Sequence, residues 1–146
     1  MNSNLKQGLV VLALLVLPSL VWAHSVLNQP IGATVGATDY YQVKCSNNGT
    51  GNTERLEIQI KDNTAGASIL SAQVQKGLFA ANTTDPVGND DFGNSSPLVS
   101  VAGGNGIYDV TVNKTTAAAR SYDLSYHCKT KTNAHAGTTI AQKQNQ

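Results

Sequence analysis

The sequence is poor in charged and aromatic residues, and it lacks the motifs of the common hydrolase and nucleotide-binding classes. Only 13% of its 146 residues are charged and 5% are aromatic. The chain has ten Lys and Arg and nine Asp and Glu. There is therefore no excess of positive charge that would attract nucleic acid or an anionic membrane. The motifs G-x-S-x-G and H-E-x-x-H and a glycine-rich phosphate loop are all missing. We therefore expect a binding or accessory protein rather than an enzyme, with no nucleic-acid partner.

The chain also lacks an apolar run long enough to cross a bilayer, but its first 23 residues follow the pattern of an export signal. Lys6 precedes an apolar segment over residues 9–20, and Ala23 supplies the small residue of a cleavage site. That segment has about a dozen residues, whereas a spanning helix needs roughly 20. We predict a bacterial Sec-type signal peptide over residues 1–23 and a mature chain that begins at His24. The mature protein would be periplasmic or extracellular, with no stable membrane anchor.

Cysteine is scarce as well, since Cys45 and Cys128 are the only two. In an exported protein two distant cysteines are expected to form a structural disulfide. The chain-entropy model assigns a bridge across a loop of this size about 4 kcal/mol. The C-x-x-C spacing of a redox pair is absent, so we predict a structural bridge.

No segment has a helical stripe, and the dominant period of the apolar residues is two. Alternation predicts strands at residues 39–45, 55–61, 69–75, 97–102, 107–114 and 121–128. Stretches rich in Asn, Gly, Asp and Ser separate them, and the longest predicted loop covers residues 82–96. We predict an all-β fold, a small antiparallel β-sandwich of jelly-roll or immunoglobulin-like type with one disulfide, over residues 24–132. Residues 133–146 would form a polar tail or an edge strand.

Three of the predicted segments carry a pattern that resembles a known family. A D-x-Y opening strand and a late G-x-Y-x-V-x-V … Y-x-L-x-Y hairpin are formed by Asp39, Tyr41, Gly106, Tyr108, Val110, Val112, Tyr122, Leu124 and Tyr126. Over roughly residues 36–128 the chain resembles the bacterial pre-peptidase C-terminal type of domain. The resemblance implies a β-sandwich that serves as a secretion, binding or calcium-stabilised accessory module.

The predicted start at His24 suggests a metal site. A free N-terminal amine and Nδ1 of the same histidine can bind one metal in a ring, and nitrogen donors suit tetragonal Cu(II). One further histidine would complete the T-shaped arrangement called a histidine brace, and only His127 and His135 remain as donors. His127 is predicted to face outward on a strand fixed by the disulfide, whereas His135 lies in a less defined segment.

Two copper-binding families begin with such a histidine: lytic polysaccharide monooxygenases and small periplasmic copper-resistance carriers. The carriers are closer in size, but their later ligands form an Asp-x-His motif. Here Asp123 and His127 are four positions apart. Only the chelating chemistry of His24 is therefore similar.

Calcium and glycans are the other candidate ligands. Asp85, Asp90 and Asp91 offer the hard oxygen donors that Ca²⁺ prefers, although such residues are also the usual turn formers. A flat aromatic platform for sugars is not expected, because the only tryptophan, Trp22, lies in the signal and only Tyr40 among the tyrosines faces outward. Phe79 and Phe92 lie in or near loops.

The sequence thus predicts a small exported, non-enzymatic binding or accessory protein. It would bind Cu(II) through His24 with His127 or His135, beside a protein or surface partner that the sequence does not identify. Two alternatives stay open. One is a structural or adhesive surface protein without metal, and the other is a copper oxidase that uses the histidine brace.

Overall fold

Alternating apolar and polar residues form nine β-strands in the computed structural model, which describes residues 24–85 and 94–146. The strands are β1 Ser25–Ile31, β2 Thr38–Ser46, β3 Thr53–Asp62, β4 Leu70–Lys76, β5 Phe79–Asp85, β6 Val99–Val101, β7 Gly106–Lys114, β8 Arg120–Thr130 and β9 Gly137–Gln144. Within these two ranges no helix is long and apolar enough to span a membrane.

The strands form two antiparallel sheets that pack face to face. One has the order β1-β8-β3-β6 and the other the order β5-β4-β7-β2-β9. Every pairing between neighbouring strands is antiparallel. The predicted all-β antiparallel sandwich is therefore confirmed.

The individual strands agree less completely with the sequence patterns. The four clearest alternating segments lie in β2, β3, β7 and β8, and the segments at 69–75 and 97–102 contribute β4 and β6. Strands β1 and β5 were not predicted. The prediction of a loop from residue 82 was wrong at its start, because residues 82–85 pair with β4 as part of β5. Residues 137–144 form β9, which lies at a sheet edge beside β2.

The core lies between the sheets and is formed by the inward residues of the alternating strands. It includes Val43, Leu56, Ile58, Ile60, Leu70, Val74, Val110, Val112 and Leu124, all essentially without solvent exposure. Two buried tyrosines cross the core, with the hydroxyls of Tyr41 and Tyr122 2.6 Å apart and the Tyr122 hydroxyl donating to Asp39. Burial and the bond to Asp39 raise the pKa of Tyr122, so this hydroxyl stays a hydrogen-bond donor.

The predicted disulfide is present and connects the two sheets. Cys45 lies on β2 of the five-stranded sheet, and Cys128 lies on β8 of the four-stranded sheet. Both cysteines face the core. Because successive side chains of a strand alternate between faces, the neighbours of Cys128, which are His127 and Lys129, face outward.

Candidate metal site

The three histidines of the sequence lie together beside the C-terminal half of β8. Their ring centroids are 6.1 Å apart for His24 and His127, 6.4 Å for His24 and His135, and 5.2 Å for His127 and His135. We call these three residues the histidine cluster. His24 lies 103 positions before His127, so it joins the cluster only because β1 pairs with β8.

His24 directly precedes β1, and its main chain is held by β8. Its carbonyl oxygen accepts the amide N–H of Tyr126 at 2.9 Å, and the next residue, Ser25, bonds to Ser125 through their hydroxyls. The main-chain nitrogen of His24 donates to Nε2 of His127 at 3.1 Å. Nδ1 of His24 is buried and makes no hydrogen bond within the described residues. Both potential chelating atoms of His24 therefore lie in the cluster.

His127 faces outward from the middle of the four-stranded sheet. It lies opposite Glu57 of β3, whose carboxylate accepts the Arg55 guanidinium at 2.6 Å. Burial lowers the pKa of His127, and the positive charges of His135 and Lys129 lower it further. A neutral imidazole that accepts an N–H at Nε2 carries its proton on Nδ1. Nε2 of His127 therefore has a lone pair directed at the main-chain nitrogen of His24.

His135 lies in a tight turn between β8 and β9, not in the loose segment that the sequence suggested. The turn is closed by the amide of Ala136, which donates to the Cys128 carbonyl at 2.9 Å, and by the hydroxyl of Thr50, which donates to the His135 carbonyl at 2.7 Å. Asn133 has a φ of 69°, a left-handed conformation that asparagine adopts more readily than most residues. These contacts fix the main chain of His135 beside His127.

Lys129 controls which nitrogen of His135 is available. Its Nζ is 2.8 Å from Nε2 of His135, while Nδ1 of His135 is buried and has no hydrogen-bond partner in the described residues. An ammonium donating to Nε2 leaves the single proton of a neutral imidazole on Nδ1. His135 is thus held in the form that cannot bind metal through Nδ1 until Lys129 moves away. Burial and the charge of Lys129 also lower the pKa of His135.

The nitrogens of the cluster suit a small cation with a preference for nitrogen ligands. Two nitrogens bound at right angles to one metal, each at roughly 2.0–2.1 Å, are about 2.9 Å apart. The main-chain nitrogen of His24 and Nε2 of His127 are 3.1 Å apart. Leaving a buried nitrogen without a partner costs about 1–3 kcal/mol, a cost that a bound metal would remove. Nδ1 of His24 is such an atom.

The side chains of the histidine cluster do not by themselves provide the nitrogen donors of such a metal site. Among residues 24–85 and 94–146, no group of three or more His, Cys, Asp and Glu side chains converges closely enough to hold a metal ion. A metal bound at this position would need the main-chain nitrogen of His24 as a donor beside the side chains.

Of the three residues singled out for calcium, Asp85 alone lies in the described part of the chain. Asp85 is buried at the end of β5, where its Oδ2 accepts the amide of Asp62 at 2.8 Å. Asp90 and Asp91 lie outside the described residues. Asp62 in turn accepts the Arg120 guanidinium at 2.7 Å. Asp85 therefore supports the main chain of β3 next to a buried ion pair.

Sequence patterns missed Glu57 and Lys129 as neighbours of the cluster. Both occupy outward positions of alternating strands, so their face could have been predicted. The pairing of Glu57 with His127 depends on the register between β3 and β8, which the alternation does not specify.

Comparison of the chain with family models, with curated proteins and with solved structures finds no match. The interpretation of the histidine cluster therefore rests on its own geometry and chemistry.

Proposed function

We propose that the protein is exported, is cleaved before His24 and binds Cu(II) as a binding or accessory protein. The ligands are the new N-terminal amine and Nδ1 of His24 together with Nε2 of His127. The observation that carries the proposal is the 3.1 Å contact between the His24 nitrogen and Nε2 of His127, next to the buried, unpartnered Nδ1 of His24.

Cleavage would change the chemistry of one atom. In the uncleaved chain the nitrogen of His24 belongs to a peptide bond and can only donate its hydrogen. After cleavage it becomes an α-amine with a pKa near 7.7–8.0, whose lone pair a metal can engage. Metal binding thus depends on processing, and the precursor would not hold copper at this position.

Three nitrogen donors favour copper over the other common divalent ions. Cu(II) forms the most stable complexes of the divalent first-row series with such ligands, and it accepts tetragonal geometry. Export is supported by the Cys45–Cys128 disulfide, because disulfides persist in oxidising compartments. The copper is the cargo of this binding role.

The decisive experiment compares two start points of the same protein. The first sample begins at His24, verified by intact mass, and the second carries one extra alanine before His24. Cu(II) is titrated into both by calorimetry, with glycine as a competing chelator. We expect one-to-one binding by the first sample and at least 100-fold weaker binding by the second. The variant Lys131→Ala, at an exposed position outside the histidine cluster, serves as a matched control. It should bind Cu(II) with the same affinity as the first sample.

Equal affinity in the two samples would reject the N-terminal copper site. That result would leave a structural or adhesive surface protein as the better interpretation. If copper binds as expected, reductant- and peroxide-dependent turnover of a glycan would identify the oxidase alternative, and no turnover would support the binding role.

A further inference from the structure

The outward face of the five-stranded sheet has a composition unlike that of the face that carries the histidines. On its five strands the outward side chains are mainly amides, hydroxyls and small groups, and the charged ones are Lys44, Asp109 and Lys143. The opposite face of the sandwich presents several ionised side chains, among them Arg55, Glu57 and Lys129. One face is therefore suited to neutral, hydrogen-bonding ligands.

This neutral face contains a cavity of about 410 Å³ between β4, β5 and β7. We call it the amide groove, and its polar lining residues are Gln73, Gln75, Asn82, Asp109 and Thr111. The small side chain of Ala80 lies opposite Gln75 and leaves the space open. Small-molecule sites commonly have volumes of about 300–1,000 Å³ and a few oriented polar groups.

The carboxylate of Asp109 is held in a fixed orientation at the edge of the groove. Its Oδ1 accepts the hydroxyl of Tyr40 at 2.5 Å and the side-chain amide of Gln42 at 3.3 Å. Its other oxygen makes no hydrogen bond within the described residues. A polar face that only keeps the protein soluble needs neither a cavity nor an oriented carboxylate.

The side-chain amides that line the groove are also free to form hydrogen bonds with a ligand. The side chains of Gln73, Gln75 and Asn82 are exposed and make no hydrogen bond to the described part of the protein. Each amide offers two donors and one acceptor, and Asp109 adds acceptors only. Together they match a ligand whose groups both donate and accept hydrogen bonds at closely spaced positions.

We propose that the amide groove binds a neutral oligosaccharide. Its vicinal hydroxyls would donate to the free oxygen of Asp109 and exchange hydrogen bonds with Gln73, Gln75 and Asn82. The low charge of the face gives no attraction for an acidic glycan. The groove lies on the opposite sheet from the histidine cluster, so sugar binding is independent of the proposed copper site.

The test uses the mature, metal-free protein labelled with ¹⁵N, so that the side-chain amides of glutamine and asparagine are observed directly by NMR. Cellohexaose, xylohexaose, mannohexaose and maltohexaose are the neutral probes, and hexagalacturonate is the acidic probe. We expect at least one neutral probe to shift the side-chain amides of Gln73, Gln75 and Asn82, and hexagalacturonate to leave them unchanged. Titration of that probe then gives its dissociation constant.

Two variants and one control test the assignment of the contacts. Asp109→Asn and Gln75→Ala should each weaken binding of the active probe at least 10-fold. Gln29→Ala removes an amide from β1 on the other sheet and should leave the affinity unchanged. The thermal unfolding midpoint of each variant shows that it is folded.

The proposal is overturned if none of the four neutral probes shifts the groove amides at 10 mM. It is also overturned if the shifts map to the other sheet, or if both groove variants bind as tightly as the parent protein. None of these results depends on copper, so a failure here leaves the histidine cluster unaffected.

Discussion

The main-chain nitrogen of His24 lies 3.1 Å from Nε2 of His127, although the two residues are 103 positions apart. The contact results from antiparallel pairing of β1 with β8, in which Ser25 lies opposite Ser125. Strand β1, which the sequence pattern did not reveal, therefore brings the predicted mature N-terminus next to a histidine of β8. Strand β8 is a central strand of the four-stranded sheet and carries one cysteine of the disulfide.

The two partner histidines should contribute unequally to copper affinity. Replacing His127 with alanine removes the donor that already faces the His24 nitrogen, so we expect Cu(II) affinity to fall at least 100-fold. Replacing His135 should lower affinity less than 10-fold, because Lys129 occupies its Nε2. Competitive calorimetry measures both effects. Equal losses in the two variants would contradict the assigned order of the ligands.

Removing the Lys129 side-chain charge should strengthen copper binding. In Lys129→Met the Nε2 atom of His135 loses its cation partner, which frees the imidazole to bind through Nδ1. We expect roughly 10-fold tighter binding, about 1.4 kcal/mol, and an additional nitrogen in the electron paramagnetic resonance spectrum. Lys131→Met is the matched control. The gain should disappear when His135→Ala is added, and persistence of the gain would refute the role of Lys129.

The metal-free protein should lose stability in mild acid. Burial lowers the folded-state pKa of His127 and of His135 below the ordinary value of about 6.5 that applies in the unfolded chain. Below pH 6.5 the unfolded chain therefore binds more protons, and the free energy of unfolding decreases as the pH falls through this window. Urea unfolding between pH 5 and 7.5 measures the slope. His127→Gln should show a shallower slope than the parent, and an identical slope would assign the effect to other groups.

The disulfide should contribute substantially to stability because it closes a long loop between the two sheets. For a separation of 83 positions the chain-entropy model gives about 4–5 kcal/mol. We expect the Cys45→Ala, Cys128→Ala double variant to lose a similar free energy of unfolding, measured by urea denaturation. The reduced parent protein provides the control and should match the double variant. A loss below 1 kcal/mol would show that the sheets are held together without the bridge.

The ion pair between Arg120 and Asp62 should be the most sensitive polar contact of the core. Both side chains are almost fully buried, and Asp62 accepts the guanidinium at 2.7 and 2.9 Å. Replacing Arg120 with methionine leaves a buried carboxylate without its partner, which costs about 3–5 kcal/mol. Thermal and urea unfolding measure the loss. The double variant Arg120→Met, Asp62→Asn should recover part of it, and no recovery would point to lost packing instead.

Much of the sandwich could be predicted from local patterns, because alternation with period two places each residue on a face. The inward positions of Tyr41, Tyr108 and Tyr122 followed from that rule. The disulfide followed from there being only two cysteines in the sequence. Strand β5 was missed because its sequence, FAANTTD, lacks the alternation of apolar and polar residues that marked the other strands. It is a strand since β4 supplies a pairing partner along its whole length.

The two candidate sites could be predicted from the sequence to different degrees. His24, His127 and His135 were identified as donors from residue type and the expected cleavage point, and the resemblance to pre-peptidase C-terminal domains stays a prediction. The roles of Lys129 and Glu57 needed the contacts around β8. The amide groove had no signal in the sequence, because its members come from three strands and share only a face.

The sequence by itself determined the strand period, the face of each side chain in the alternating segments, the pairing of two cysteines and the availability of three histidines. These features are local or follow from there being only one possible partner. The tertiary structure decided which strands are neighbours and in which register they pair. That choice is made by long-range packing of the two sheets, and it brings residues 24, 127 and 135 together on one face and the amide groove on the other.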